Sequence, residues 1–310
     1  MSTQSNAIEG TSFGQQARRP AVFSATQPIY WAVRRELWES RSIYLAPLAV
    51  SALIVLAHLI SMVRLPDQMR AVSALDPLHQ HEAVQQHYMY AALLLMLTTF
   101  VVAIFYCLDA LHGERRDRSI LFWKSLPVSD FHTVLAKASI PVLVLPLLTF
   151  AITAVTQFIM LVVSSLVLLG SGLSVTMLWK QVSFFQMSVG LFYHLVTVHG
   201  LEYAPIYGWL LLVSGWAKRL AFLWAFMPIA AILIVERIAF NSSYFADALG
   251  NRMSGGAEGA AFADSSMAMD PLAHIAPGRF LISPSLWIGL AVFAAFLAAA
   301  VRLRRSQGPM

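Results

Sequence analysis

Three ionisable residues in an otherwise apolar stretch, His194, His199 and Glu202, are the groups best placed to handle a proton or a polar ligand inside a membrane. A charge in hydrocarbon is costly, so such residues mark functional positions by default. His199 and Glu202 stand three apart and would share one face of a continuous helix, a continuity that the intervening Gly200 weakens. Two neutral histidines bonded to neighbouring helices would explain the same residues without chemistry. His58 and Asp109 fall under the same default, with Asp109 close to the end of its apolar run. A second group, His79, His81 and His87 near Asp76 and Glu82, offers ligand types that a divalent metal accepts. Nothing in the spacing fixes a coordination geometry, so these read as solvated loop histidines and no metal site is expected. No His-Glu-x-x-His pattern and no nucleophile motif occurs, and no catalytic residue is expected on this chain. Nor is there a Gly-x-x-x-x-Gly-Lys-Ser/Thr phosphate loop. The single cysteine, Cys107, excludes an intrachain disulfide.

The elements that must position these residues are apolar runs. The 310 residues are 58% hydrophobic and only 12% charged, against about 25% charged for an ordinary soluble domain. About 20 apolar residues cross a hydrocarbon layer of ~30 Å, and the fold class expected is an all-α integral membrane protein with about six transmembrane helices. The runs place spans at 43–63, 88–111, 139–169, 182–214, 220–235 and 286–301. The third holds Pro141 and Pro146, which remove backbone donors and favour a bend. The fourth is interrupted by His194, His199, Gly200, Glu202 and Pro205 and reads as one long span bent near Gly200 to Pro205.

Charge gives an independent test, because cytoplasmic flanks carry the excess of Lys and Arg. With the N-terminus inside, segments 1–42, 112–137, 215–219 and 302–310 hold five, five, two and three basic residues, which is 15 of the 21. Six spans then return Arg302, Arg304 and Arg305 to the cytoplasm. The net charge of +5 is thereby explained by membrane topology, and no nucleic-acid partner is expected.

Residues 1–25 are polar and read as a disordered cytoplasmic tail, without the apolar core of a signal peptide. An interfacial amphipathic helix is expected over 26–42: Ile29, Val33 and Leu37 recur every four residues, with Tyr30, Trp31 and Trp38 beside them and Arg34, Arg35 and Arg41 facing lipid headgroups. Residues 240–285, rich in Gly, Ala and Ser, read as an external loop.

The connector 112–137 is the most distinctive segment. Glu114, Arg115, Arg116, Asp117 and Arg118 form a mixed-charge head, Ile120 to Trp123 an apolar sequel, and Leu126-Pro127 a stop. A short helix along the membrane surface would turn its apolar side to the bundle and its charges to something cytoplasmic. Ser129 and Asp130 supply caps for the next helix.

The run Gly113-Glu114-Arg115-Arg116-Asp117-Arg118-Ser119-Ile120-Leu121-Phe122-Trp123-Lys124-Ser125-Leu126-Pro127-Val128-Ser129 resembles the connector after the second span in bacterial type-2 ABC transporter permeases. Tyr203-Ala204-Pro205-Ile206-Tyr207-Gly208-Trp209 and Ser214-Gly215-Trp216-Ala217-Lys218-Arg219 resemble that family too. The likeness covers roughly residues 27–239 and resumes over 279–305. It implies a permease dimer, homomeric or heteromeric, in the bacterial cytoplasmic (inner) membrane, with both termini cytoplasmic. ATP and Mg would then bind a separate nucleotide-binding ABC ATPase, and this chain would hold no cofactor. Glu114, Arg115, Arg116, Asp117, Arg118, Phe122, Trp123 and Lys124 would form a coupling helix docked on that ATPase. The alternatives are a proton-coupled secondary transporter using His194, His199 and Glu202, and a membrane scaffold that transports nothing.

Overall fold

The computed structural model describes residues 27–121, 129–256 and 277–306. Among them the chain is helical with no strand, and five helices are long and apolar enough to cross a membrane: Ser42–Ser73, His79–Arg116, Asp130–Gly170, Ala221–Phe240 and Pro284–Ser306. Leu53, Ile60, Leu166, Ile234 and Ile288 lie outward on these helices and are exposed. A continuous apolar exterior of this kind suits lipid and not water. The chain is an all-α membrane protein.

The first helix, α1 (Gln27–Glu39), starts at Gln27-Pro28, with Pro in the first turn where a missing N–H costs nothing. It is followed by α2 (Ser42–Ser61), which runs through a short 3-10 turn into α3 (Leu65–Ser73). The long α4 (Pro77–Ala110) leads to the short α5 (His112–Arg116). Residues 64–87, expected as an outer loop between the first two spans, are therefore mostly helical: Pro66 and Pro77 each stand in the first turn of a new helix, where a missing N–H costs nothing.

The third span is α6 (Asp130–Ser139), a π-helical turn Ile140–Val144 holding Pro141, and α7 (Leu145–Gly170). Ser129 caps it, its hydroxyl accepting from the His132 N–H at 3.3 Å. Then come α8 (Val175–Gln181) and α9 (Phe184–His194). A second π-helical stretch, Leu195–Glu202, separates α9 from α10 (Ala204–Trp216). The expected fourth span is thus divided, and neither α-helical piece reaches span length by itself. The chain continues through α11 (Ala221–Val235) with a π turn Glu236–Phe240, α12 (Tyr244–Met253), α13 (Pro277–Ile282) and α14 (Pro284–Ser306). Part of the expected external loop is therefore helical, while residues 257–276 of it lie outside the described residues, as does the tail 1–25.

At ~1.5 Å per residue, α4 is about 51 Å long, well beyond a hydrocarbon layer of ~30 Å. The ends of α4 and α7 project past the membrane, and α3 and α8 pack on the projection around Met69, Val84, Tyr88, Leu168 and Leu178. Within the bundle, buried hydroxyls and amides tie the spans together. Ser51 bonds Thr156 at 2.7 Å, Thr99 bonds Thr149 at 2.6 Å, and Gln157 donates to the Tyr88 carbonyl at 3.1 Å. Such interhelical bonds average ~0.6 kcal/mol in membrane proteins.

Helix α10 packs extensively against α14. A Cβ on Gly208 would stand 2.7 Å from Phe293 Cδ2 and 3.3 Å from Phe296 Cβ, so only glycine admits this approach. Gly208→Leu is expected to cost about 1–3 kcal/mol through overpacking, and a thermal shift assay in detergent against Gly190→Leu, where the Cβ meets nothing within 4 Å, checks it.

Candidate functional site

The inner part of the connector is built into the protein and not laid on its surface. Glu114, on α5, is buried and meets Lys137 Nζ of α6 at 3.1 Å, Arg35 Nη2 of α1 at 3.3 Å, and Arg304 Nη1 of α14. Glu36 of α1 is equally buried and receives Lys137 Nζ at 2.9 Å, Arg35 Nη2 at 2.6 Å and the Tyr106 hydroxyl of α4 at 2.9 Å. Arg304 also donates through Nε to Asp130 at 3.0 Å. Three cations (Arg35, Lys137, Arg304) meet three carboxylates (Glu36, Glu114, Asp130) at 3.3 Å or less, so the close contacts are charge-balanced; the exposed Glu39 adds a longer contact, 3.7 Å from Arg35 Nε. Each buried ion costs several kcal/mol to desolvate, a penalty that only close geometry and mutual bonding offset.

Glu36 registers that balance. Burial by itself would raise its pKa, but Lys137 and Arg35 outweigh it and hold the carboxyl below its ordinary value. A carboxylate with a depressed folded-state pKa stabilises above its unfolded pKa, and that contribution is lost as pH falls through the lowered folded value. Thermal stability is therefore expected to drop on acidification below the ordinary carboxylate range, and the slope is expected to be shallower in Glu36→Gln.

The end of α10 docks onto the same place. Where α4 stops, the Ser214 hydroxyl accepts from the N–H groups of Leu111 at 3.0 Å and His112 at 2.9 Å. Arg115, also buried, donates to the Gly215 carbonyl at 2.7 Å, and His112 Nδ1 lies 3.2 Å from the Ala217 carbonyl. These groups satisfy helix ends that would otherwise leave polar backbone in an apolar setting.

Beyond Arg115 the connector turns outward. Arg116 pairs on the surface with Asp117 at 3.1 Å and Asp109 at 3.8 Å, and all three are exposed. Arg118 takes a left-handed conformation, φ 58°, which ends the turn. A cavity of about 560 Å³ opens beside the network, with Glu39, Asp109 and Asp117 at its edge and Glu36, Glu114 and Lys137 on its wall. Of the residues expected to form the coupling surface, Glu114 and Arg115 are thus internal ties, while Arg116, Asp117 and Arg118 face outward. Phe122, Trp123 and Lys124 lie outside the described residues.

The polar group expected in the fourth span sits on and beside the π-helical stretch. The rings of His194 and His199 are 6.0 Å apart, and His199 stacks edgewise on Tyr203 at 5.1 Å. Gly200 is required here, because a Cβ would stand 3.0 Å from the Val142 carbonyl of the other π turn. The Glu202 carboxylate meets Arg252 Nη1 of α12 at 3.1 Å, and the same guanidinium donates to the Glu202 carbonyl and to the Ser285 carbonyl, both at 3.0 Å. The Tyr203 hydroxyl donates to the Met253 carbonyl at 2.8 Å. Arg252 therefore latches α12 to the broken helix and to the start of α14. Sequence reading missed it, because Arg252 lies in a segment that composition marks as loop.

Among the described residues no group of three or more His, Cys, Asp or Glu side chains is gathered to hold a metal ion. His79 pairs with Asp76 in the open, and His81 is buried apart from that pair. No protein-family model matches the chain, and neither a curated protein nor a solved structure shows significant similarity to it.

Proposed function

We propose that this chain is the membrane-spanning permease subunit of an ATP-binding cassette exporter. The observation that supports it best is the buried ion network. It fastens the connector at Glu114 to the helix before the first span, to the start of the third span and to the end of the last. It also leaves Arg116, Asp117 and Arg118 exposed immediately beyond. A force applied to that exposed turn moves four elements together, which is what a coupling helix must do. The α9, π-helical and α10 pieces together form the fourth of six membrane passages, and the connector beginning at Glu114 is the coupling segment. ATP and Mg bind on a partner ATPase, which docks at the basic end of the bundle on the cytoplasmic side of a bacterial inner membrane. Charge-assisted contacts to Arg116, Asp117 and Arg118 make that docking specific. The permease works as a dimer.

The Glu202 to Arg252 pair weighs against a proton-coupled carrier, because the carboxylate that such a carrier would titrate is already held by a cation. The test is purification of the tagged chain from its native host in mild detergent, with mass spectrometry of what accompanies it. A nucleotide-binding ATPase in stoichiometric amount is expected. Repeated recovery of this chain alone would overturn the proposal.

A further inference from the structure

At the opposite end of the bundle, a cavity of about 330 Å³ lies between the end of α2, α3 and the projecting part of α4. That volume falls in the range of small-molecule sites, ~300–1,000 Å³. We propose that it binds one uncharged, single-chain amphiphile, a site independent of the transporter reading.

The lining carries the argument. Met62, Leu65, Met69, Val72, Val84 and Leu178 give it an apolar wall. His58, Tyr88 and Ser164 also line it, and all three are buried, which places them at its depth. His58 and Ser164 already have partners: His58 Nε2 lies 3.1 Å from Ser164 Oγ and 3.2 Å from the Met160 carbonyl, and Ser164 Oγ lies 3.7 Å from Met62 Sδ. An apolar chain entering the cavity therefore strands neither His58 Nε2 nor the Ser164 hydroxyl. Gln68, Gln86 and His87 are exposed at its mouth and supply donors and acceptors for a hydroxyl or carbonyl head. No Asp, Glu, Lys or Arg is among the lining residues, so a charged head would be desolvated without a partner.

Position agrees with chemistry. The twenty residues of α2 rise ~30 Å, one hydrocarbon thickness. His58, Ser61 and Met62 therefore stand where hydrocarbon meets headgroups, the level at which an amphiphile keeps its head wet and its chain dry. The occupant comes either from the membrane itself, as a neutral monoacyl lipid or fatty alcohol, or from solution as a hydrophobic compound with one polar end.

The test uses the full chain in nanodiscs and a long-chain alcohol carrying a diazirine on its alkyl chain, with cross-linked peptides read by mass spectrometry. Saturable labelling confined to peptides spanning 58–72 and 83–88 is expected, with competition by the plain alcohol. Val72→Phe and Ala83→Trp, which fill the cavity, should each reduce labelling to background while thermal unfolding shows the protein still folded. If one variant fails to fold, the other decides. Native mass spectrometry of the chain as purified separates the sources: a retained neutral lipid indicates the membrane, and an empty protein that labels on addition indicates solution. Labelling that does not saturate, spreads over the lipid-facing surface of α11, or survives in a folded filled variant overturns the site.

Discussion

Glu114→Ala is expected to destabilise the purified chain by about 3–5 kcal/mol, the usual result of removing one member of a buried ion pair. Glu114 is the one carboxylate in contact with all three cations, Arg35, Lys137 and Arg304. Its loss leaves Lys137 with Glu36 and Arg304 with Asp130, so two buried cations each keep a single acidic partner. The close contacts would then hold one excess positive charge, with the Lys137 and Arg304 side chains almost fully buried. Glu114→Gln keeps the shape and loses the charge, so it should fall between wild type and alanine. Equilibrium unfolding in mixed micelles measures both. A loss under ~1 kcal/mol, the value of an exposed pair, would show that the network contributes little to the fold.

The second large effect is functional. Arg116→Glu combined with Arg118→Glu is expected to leave stability nearly unchanged, because exposed ion pairs contribute only ~0–1 kcal/mol. Arg116 touches only the exposed Asp109 and Asp117 among its ion-pair partners. The same double variant is expected to abolish recovery of the ATPase in the detergent pull-down and to stop ATP-driven transport. Arg115→Glu gives the contrasting result. It places a carboxylate against the Gly215 carbonyl that Arg115 now bonds, and folding should fail before coupling can be assayed. If Arg116 and Arg118 can be reversed with full ATPase recovery, the exposed turn is not the docking surface.

The contrast between neighbouring arginines shows what the sequence could and could not disclose. Hydropathy located the apolar helices, because a run such as 43–63 or 286–301 has no other stable home. Run length did not show that α4 and α7 project beyond the membrane, because His79, His81 and Gln85 look like loop residues until Val84, Tyr88 and Met69 are seen packed together. The connector was visible as a cluster of charges at 114–118. Which of those charges turn inward depends on where α4 stops, and the Ser214 hydroxyl decides that from about a hundred residues away. Glu36, Lys137 and Arg304 read singly as ordinary flanking charges, and only the folded bundle makes them one network. Glu202 drew notice as a carboxylate in an apolar run, but its partner Arg252 was out of reach of any local pattern.

The most direct measurement places a photoreactive benzoylphenylalanine at Asp117 in the native host, illuminates the cells and identifies the adducts. An adduct with a nucleotide-binding ATPase at Asp117, and none at Tyr244 on the far end of the bundle, is the result expected of a coupling permease. Adducts at Asp117 that contain no ATPase, under conditions where the chain is inserted and folded, would contradict the coupling role of the connector.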